Sequence, residues 1–335
     1  MAIEFPYVKI RTTDPDGTTA NITSLCRTIT WSGDWRNAAR TLSFSPVVSG
    51  LDKNLPRAPT ELGGSAQFWH EGTLLMDAYS LERTRDSLAN AIDVTAFDRG
   101  LYLTRNSKIF RVEEETPEAV TASLCGELGI PVGNLAATGI PITRNFLGVS
   151  LYKIIMTMYS LAADQTGKKY RLRFSGSQLE VVEMGISESS ILLKPGSNLL
   201  VCTTAESASQ MTNSVAIYDD NCNLLSTEED GEAVSLYGLM QEAIRASAYE
   251  DPAAHAKQII RERGLQTDIT VQALGNLKLV TGNTVALQEP VTGVYGKFWI
   301  ISDAHTWQRG IHRTRLTLSL DALMDEQEAG SLPGK

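Results

Sequence analysis

Residues 67–76 read QFWHEGTLLM and carry the clearest hairpin pattern of the chain. Two runs of aromatic and large apolar residues flank Glu71-Gly72, and a glycine suits the positive φ of a tight two-residue turn. Residues 7–11 and 42–45 alternate apolar with polar, and residues 91–96 are rich in β-branched side chains. These patterns predict that the first hundred residues form short strands of a β-barrel or sandwich.

The spacing of apolar residues changes near residue 112 from the alternation of strands to the period of a helix. Thr116 precedes Pro117, and apolar residues then recur at every fourth position as far as Gly129, which predicts a capped helix. Ser150 precedes a second apolar stripe that ends near Gly167 and predicts another helix. The runs 170–174 and 178–182 flank Ser-Gly-Ser and predict a hairpin. Residues 111–186 are therefore predicted to form a small mixed α/β domain.

Polar, turn-rich residues at 187–190 and 195–198 predict a linker. A strand is predicted at 215–218, and the acidic run 227–232 is interpreted as a solvated loop. Asp251-Pro252 predicts the start of a helix that Gly264 ends.

Strands return after residue 268. They are predicted at 268–271, 277–280, 284–287 and 316–320, separated by Gly-Asn turns or marked by clean alternation. The fold class that follows is α+β and mainly β. It has two antiparallel β-barrel domains, 1–110 and 187–335 with an attached helix, and the mixed domain 111–186 between them.

Composition narrows the classes of function. The chain has 335 residues, 42% of them hydrophobic and 21% charged, as in ordinary globular proteins. Its 30 basic and 39 acidic residues give a net charge of -9, the wrong sign for neutralising nucleic-acid phosphates. The start of the sequence carries no secretory pattern, and no apolar stretch is long enough to span a membrane, so synthesis in the cytoplasm is expected. The four cysteines form no C-x-x-C pair and are interpreted as buried free thiols.

Motifs for catalysis or metal binding are incomplete. His70-Glu71 opens like a zinc protease motif, but position 74 is leucine instead of the second histidine. His305 and His312 are seven residues apart, which on one strand predicts opposite faces. Ser150 is interpreted as a helix cap, and the glutamates at 113–115 as a solvated loop. The sequence therefore predicts no catalytic residue, no cofactor-binding residue and no metal ligand.

Several segments nevertheless resemble one family, and they occur in the family's order. The segments are 31–34 (WSGD), 38–42 (AARTL), 94–98 (VTAFD), 102–103 (YL), 151–155 (LYKII), 166–170 (TGKKY), 211–215 (MTNSV), 237–238 (YG), 253–264, 274–275 (LG) and 293–300 (GVYGKFWI), with His305 downstream. Over roughly residues 5–325 the chain is similar to the XkdQ/YqbQ-type baseplate hub proteins of phage tails and phage-tail-like particles.

The resemblance implies a structural role without catalysis. Family members have two tail-tube-type β-barrel domains, and three copies close a ring that adapts a threefold spike to the sixfold tail tube and starts tube assembly. The implied partners are two further copies of the chain, the tail spike or hub-hydrolase protein, the tail tube protein, the tape-measure protein and other baseplate proteins. No sequence-specific nucleic acid and no cofactor are implied. The implied location is a tail baseplate assembled in the bacterial cytoplasm.

Two other classes of function stay open at this stage. A glycan-binding or cell-wall hydrolase component of the same particle would use exposed aromatic faces such as Trp69, Trp299 and Trp307, with Glu71 and Asp98 as carboxylates to test. A cytosolic ligand-binding protein would saturate with a small molecule, and no motif names that molecule.

Overall fold

A computed structural model describes residues 7–49, 52–86, 88–185, 191–248 and 251–333 of the chain. The chain divides into two compact units, residues 203–270 and the remainder. The domain boundaries expected at residues 110 and 186 stay a prediction, and the linker residues 187–190 lie outside the described residues.

The first hundred residues form strands, as predicted. These are β1 (Val8–Thr13), β2 (Thr19–Asn21), β3 (Cys26–Asp34), β4 (Thr41–Pro46), β5 (Ser65–His70), β6 (Thr73–Asp86) and β7 (Ala91–Asp98). The β5–β6 hairpin is confirmed, and its turn residues Glu71 and Gly72 both have positive φ, 48° and 82°.

The middle of the chain contains both helices and strands. Its elements are α1 (Gly100–Arg105), β8 (Ser107–Glu115), α2 (Pro117–Glu127), β9 (Val132–Leu135), β10 (Ile142–Ser150), α3 (Leu151–Thr166), β11 (Tyr170–Ser175) and β12 (Gln178–Glu183). The predicted caps are confirmed: Thr116 accepts a hydrogen bond from Ala119 N, and Ser150 accepts one from Lys153 N. Gly167 ends α3 with a φ of 68°. Helix α1 was not predicted.

The interpretation of residues 113–115 as a loop is wrong, because all three glutamates belong to β8. Glu115 pairs with Ile142 of β10, and the register shifts just beyond that pair. Glu114 has a φ of 51°, and its amide donates to Thr143 Oγ1 at 2.9 Å. This irregularity leaves all three side chains exposed, so a solvated charge run coexists with strand pairing.

The second half begins with β13 (Leu192–Leu193) and β14 (Leu199–Ser207). The unit at 203–270 then contains β15 (Ser214–Tyr218), β16 (Leu224–Glu229), α4 (Gly231–Tyr237), β17 (Gln241–Arg245) and α5 (Pro252–Glu262), and β18 (Gln266–Leu274) follows. Strand β15 pairs with β16 antiparallel and with β17 parallel. Ala256 and Ile259 of α5 pack on Val215, Ile217 and Ile244 and form the core of this unit.

The acidic run 227–232 is not a loop. Glu228 pairs with Val215 and Glu229 with Ser214 at the edge of the small sheet. Asp230 then caps α4 by accepting hydrogen bonds from the amides of residues 232 and 233. An edge strand keeps its charged side chains in water while its backbone pairs, which explains why polarity alone misled the interpretation.

The chain ends with β19 (Thr284–Glu289), β20 (Val294–Gln308) and β21 (Ile311–Ser319). No strand forms at 277–280, where the prediction is wrong. Asn276 Oδ1 instead accepts a hydrogen bond from Lys278 N at 3.0 Å, and Leu279 N donates to Asn276 O, so the segment turns.

Strands from both halves of the chain join in one sheet. In the described residues it has thirteen strands in the order β14-β18-β21-β20-β3-β4-β7-β6-β5-β1-β2, with β19 beside β20 and β13 beside β19. The pairing of β3 with β20 connects the N-terminal strands to the C-terminal ones. The predicted fold class, mainly β with antiparallel sheets and a mixed α/β part, is confirmed.

Candidate functional site

The junction between β3 and β20 joins residues almost three hundred positions apart. Seven consecutive residue pairs form it, from Asp34 with Ser302 to Thr28 with Gln308. A junction of this length has to be specified by side chains, because strand pairing by itself tolerates slippage.

A buried ion pair lies at this junction. Arg40, just before β4, donates from Nη1 to Asp303 Oδ1 at 3.0 Å and from Nη2 to Oδ2 at 2.5 Å. The Asp303 side chain is fully buried and that of Arg40 is 11% exposed. Thr281 adds hydrogen bonds to Oδ1 from its amide at 2.7 Å and its hydroxyl at 2.6 Å. This two-pronged geometry fixes both the distance and the angle between the two halves of the sheet.

The absence of a side chain at position 33 makes room for the guanidinium. A Cβ atom on Gly33 would lie 2.4 Å from Arg40 Nη1, so no larger residue fits without moving the arginine. The guanidinium also lies over the Trp31 ring, with its central carbon 3.8 Å from the ring centroid. Burial raises the pKa of Asp303, but Arg40, together with His305 and Thr281, more than offsets this, and the pKa lies below its usual value. The carboxylate is therefore ionised at neutral pH.

His305 and His312 lie side by side, and the prediction of opposite faces is wrong. A turn at residues 309–310 separates β20 from β21, so the histidines come from neighbouring strands. His305 Nδ1 is 3.2 Å from His312 Nε2, and the His312 ring stacks on Trp307 with centroids 4.1 Å apart. His305 Nε2 faces the carbonyl of Leu279 at 3.1 Å. Because a carbonyl only accepts, this nitrogen carries the proton in the neutral ring.

Both histidines are neutral at physiological pH. Burial lowers the pKa of His305 to about 4, although the nearby Asp303 carboxylate acts in the opposite direction. Burial, together with His305 and His70, lowers the pKa of His312 to about 3. The pair therefore extends the polar network from Arg40 without adding charge to it.

A model of a protein family described as YQBQ-like matches residues 29–319. The chain belongs to the YQBQ-like family. It is 24% identical over 249 residues to the uncharacterized protein YqbQ of Bacillus subtilis strain 168, covering 71% of this chain and 74% of that one. It is 20% identical over 270 residues to the phage-like element PBSX protein XkdQ of the same organism, covering 78% of this chain and 81% of that one.

A solved structure has the same fold as this YQBQ-like chain. The 43 kDa tail protein of prophage MuSo2 from Shewanella oneidensis superposes with a TM-score of 0.72 at 12% identity, covering 96% of this chain and 99% of that one. The resemblance inferred from the ordered sequence segments is thus confirmed at the level of family and fold.

The aromatic and acidic residues considered for glycan chemistry are mostly enclosed in this YQBQ-like chain. Trp307 is 3% exposed within the sheet core, and Trp69 and Trp299 are half-buried. Asp98 is buried, accepting hydrogen bonds from Arg40 N at 3.0 Å and Gly100 N at 2.9 Å. Burial raises the pKa of Asp98 to about 7, against the effect of these amides. Its contacts position the start of α1 beside β4.

The structure also gives the positions of Glu71 and of the four cysteines that the sequence analysis considered. Glu71 lies in the β5–β6 turn. The interpretation of four buried thiols is wrong for two of them: Cys26 and Cys125 are buried, but Cys202 is only partly so and Cys222 is exposed. Among the residues that the structure describes, no three His, Cys, Asp or Glu side chains are grouped to hold a metal ion. Within the same residues, no helix has the length and apolarity needed to cross a membrane.

Sequence reasoning missed the Arg40–Asp303 pair. The two residues are 263 positions apart, and neither belongs to a motif with known chemistry. The available signal was the family resemblance, since the quoted segments 31–34 and 38–42 contain Trp31, Gly33 and Arg40.

Proposed function

We propose that this chain is a structural, non-enzymatic hub protein of the baseplate of a phage tail or phage-tail-like particle. In this proposal three copies close a ring that adapts a threefold spike to the sixfold tail tube and starts tube assembly. The observation that carries it is the continuous sheet in which N-terminal and C-terminal strands meet at the β3–β20 junction.

The geometry of that sheet supports a match between threefold and sixfold symmetry. A trimer in which each chain contributes two antiparallel strand sets presents six sets around a ring. Such a match requires the two strand sets of one chain to have a fixed position and orientation relative to each other. The buried Arg40–Asp303 pair at the β3–β20 junction supports this requirement. The fold shared with the MuSo2 tail protein supports the same assignment.

The proposal includes the domain division 1–110, 111–186 and 187–335, with tube-type domains at either end. The expected partners are two further copies of the chain, the spike or hub-hydrolase protein, the tube protein, the tape-measure protein and other baseplate proteins. Assembly takes place in the bacterial cytoplasm, and the product is part of a tail. The name of the relative XkdQ, a protein of a phage-like element, supports this placement.

Electron microscopy and sedimentation of the purified chain test the proposal. Three chains of 36.5 kDa give a particle of about 110 kDa, and class averages are expected to show threefold symmetry around an open channel. The same measurement after co-expression with the spike and tube proteins covers the case in which ring closure needs a partner. A chain that stays monomeric, or forms only dimers, in both preparations contradicts the hub function.

A further inference from the structure

A second arginine site lies in the same compact unit as the sheet junction. A cavity of about 290 Å³ opens beside β11 and β12, and its lining includes Arg171, Arg173, Ala136, Gly185, Gly282 and Asn283. Small residues make up part of this lining, so the space above the arginines is unfilled. Cavities of this size accommodate a side chain with some of its backbone.

The other charged groups at the cavity have partners. Arg173 donates from Nε to Glu180 Oε2 at 2.9 Å, and its Nη2 lies 2.8 Å from the same oxygen. Glu183 accepts from Lys168 Nζ at 2.8 Å. Neither carboxylate is therefore left to neutralise a further cation.

Arg171 differs from its neighbours in having no such partner. None of the described residues places a hydrogen-bond acceptor against its guanidinium, although the side chain is partly buried. A Cβ atom on Gly282 would lie 2.1 Å from Arg171 Nη1, so the arginine is held against bare backbone. The carboxylate of Asp303 is close enough to affect Arg171 but is already bonded by Arg40 and Thr281.

The charge of Arg171 persists in these surroundings. Burial and the nearby Arg40 guanidinium lower the pKa of Arg171 to about 9, so the group stays protonated at neutral pH. Among the described residues, no Arg171 nitrogen is both fully buried and unpartnered, so the half-buried cation is accessible from the cavity. An accessible guanidinium without an acceptor in the chain can bind an anionic group that enters the cavity.

We propose that the cavity at Arg171 receives the carboxylate of an aspartate or glutamate side chain from a partner polypeptide. A guanidinium presents two parallel N–H donors that match a carboxylate, and the small residues around it leave room for the partner's backbone. The inference rests on the proposed function, because an assembly subunit meets such partners. The partner is either another copy of this acidic chain or a different protein of the particle.

Titration with a minimal probe tests the site directly. The probe is N-acetyl-glutamate α-amide, its neutral control is N-acetyl-glutamine amide, and binding is followed through the backbone amide NMR signals of Gly282 and Asn283, which line the cavity in every variant. We expect a saturable shift with the charged probe at concentrations up to roughly 100 mM, and about tenfold or more weaker binding of the neutral one. Arg171→Met abolishes the response, whereas Arg111→Met, an exposed strand arginine paired with Glu113, retains it. Arg171→Gln is the second variant, and unfolding midpoints verify that each variant is folded.

Three outcomes overturn the inference. They are equal binding of the charged and neutral probes, binding that survives in both Arg171 variants, and the lack of any saturable shift. Inorganic phosphate is titrated in parallel, and a preference for phosphate of about tenfold or more overturns the assignment to an acidic polypeptide.

Sedimentation of Arg171→Met distinguishes the possible partners and separates this inference from the proposed function. Loss of the trimer in this variant identifies the partner as a second copy, whereas a trimer that persists identifies it as another protein. A wild-type chain that never trimerises defeats the hub proposal, and the probe titration still decides the Arg171 site.

Discussion

The guanidinium groups of Arg40 and Arg171 both lie against a glycine, but they differ in their hydrogen-bond acceptors. Each arginine lies against a glycine, Gly33 or Gly282, where an added Cβ would come within 2.4 Å or 2.1 Å of the nearest guanidinium nitrogen. Arg40 meets a fully buried carboxylate, Asp303, and Arg171 meets no acceptor among the described residues. Both terminal nitrogens of Arg40 are bonded within the chain, although its buried Nε has no partner among the described residues, whereas Arg171 has no acceptor there at all.

This difference separates a structural site from a binding site. A buried charge pair adds little net stability compared with apolar packing, but loss of one member leaves the other charge unpaired. Arg40 and Asp303 therefore specify how the two halves of the sheet join. Arg171 has no acceptor among the described residues and therefore specifies no contact within the chain, which leaves its guanidinium free to bind the proposed partner.

Replacing each arginine by methionine gives the largest expected contrast. Arg40→Met strands the Asp303 carboxylate and is expected to lower the free energy of unfolding by about 3–5 kcal/mol. Arg171→Met removes a cation that has no acceptor and is expected to change it by less than about 1 kcal/mol, or to raise it. Urea unfolding of both variants measures the contrast. Equal losses would mean that Arg171 has an internal stabilising role, and the comparison would fail.

Local chemistry explains which parts of the fold could be predicted. The β5–β6 hairpin and the starts of α2 and α3 depend on residues within a few positions of each other, such as Thr116 with Ala119 and Ser150 with Lys153. Turn and cap rules describe such neighbours, and these predictions are confirmed.

The predictions were wrong where the polarity or hydrophobicity of a segment was used to infer a loop or a strand. Glu228 is charged and half-buried and Glu229 is charged and exposed, yet their backbone pairs at a sheet edge. Residues 277–280 are mostly apolar, yet the side chain of Asn276 turns the chain there. Polarity and hydrophobicity report burial, and burial does not determine backbone pairing.

The candidate site could not be predicted, because its residues meet only in the folded chain. Asp303 reaches Arg40 through the β3–β20 pairing, and His305 reaches His312 through the β20–β21 pairing. Spacing along one strand gave the wrong geometry for the histidines, since the intervening turn was not recognised. Register between distant strands is a property of the whole sheet.

The glycine beneath Arg171 provides a test of intermediate size. Gly282 and Gly72 have nearly the same φ, 83° and 82°, but a Cβ on Gly72 meets nothing within 4 Å. Gly282→Ala is therefore expected to lower the free energy of unfolding by about 1–3 kcal/mol more than Gly72→Ala, because it crowds Arg171 as well as straining the backbone. In an Arg171→Ala background this excess should vanish. An excess that persists there would show that Gly282 is required for another reason.

The smallest expected effect distinguishes the two regions by pH. The pKa of His312 is lowered to about 3 in the folded chain and is near 6.5 when unfolded, so the unfolded chain takes up the proton first as the pH falls. The histidine network beside Arg40 therefore loses stability below about pH 6.5. Between pH 7.5 and 5.5, the wild-type protein is expected to lose about 1 kcal/mol more than His312→Gln, with allowance for the partial exposure of the ring.

Other titrating groups do not obscure this comparison. The pKa of Asp98 is raised to about 7, so this residue adds stability as the pH falls towards its unfolded value, and it does so in both proteins. Arg171→Met should keep the wild-type change in unfolding free energy between pH 7.5 and 5.5, since Arg171 does not titrate in this range. Urea unfolding at the two pH values measures these changes. Two results would show that the acid response does not come from the histidine network beside Arg40. One is a wild-type loss of unfolding free energy between pH 7.5 and 5.5 in His312→Gln, and the other is the absence of that loss in Arg171→Met.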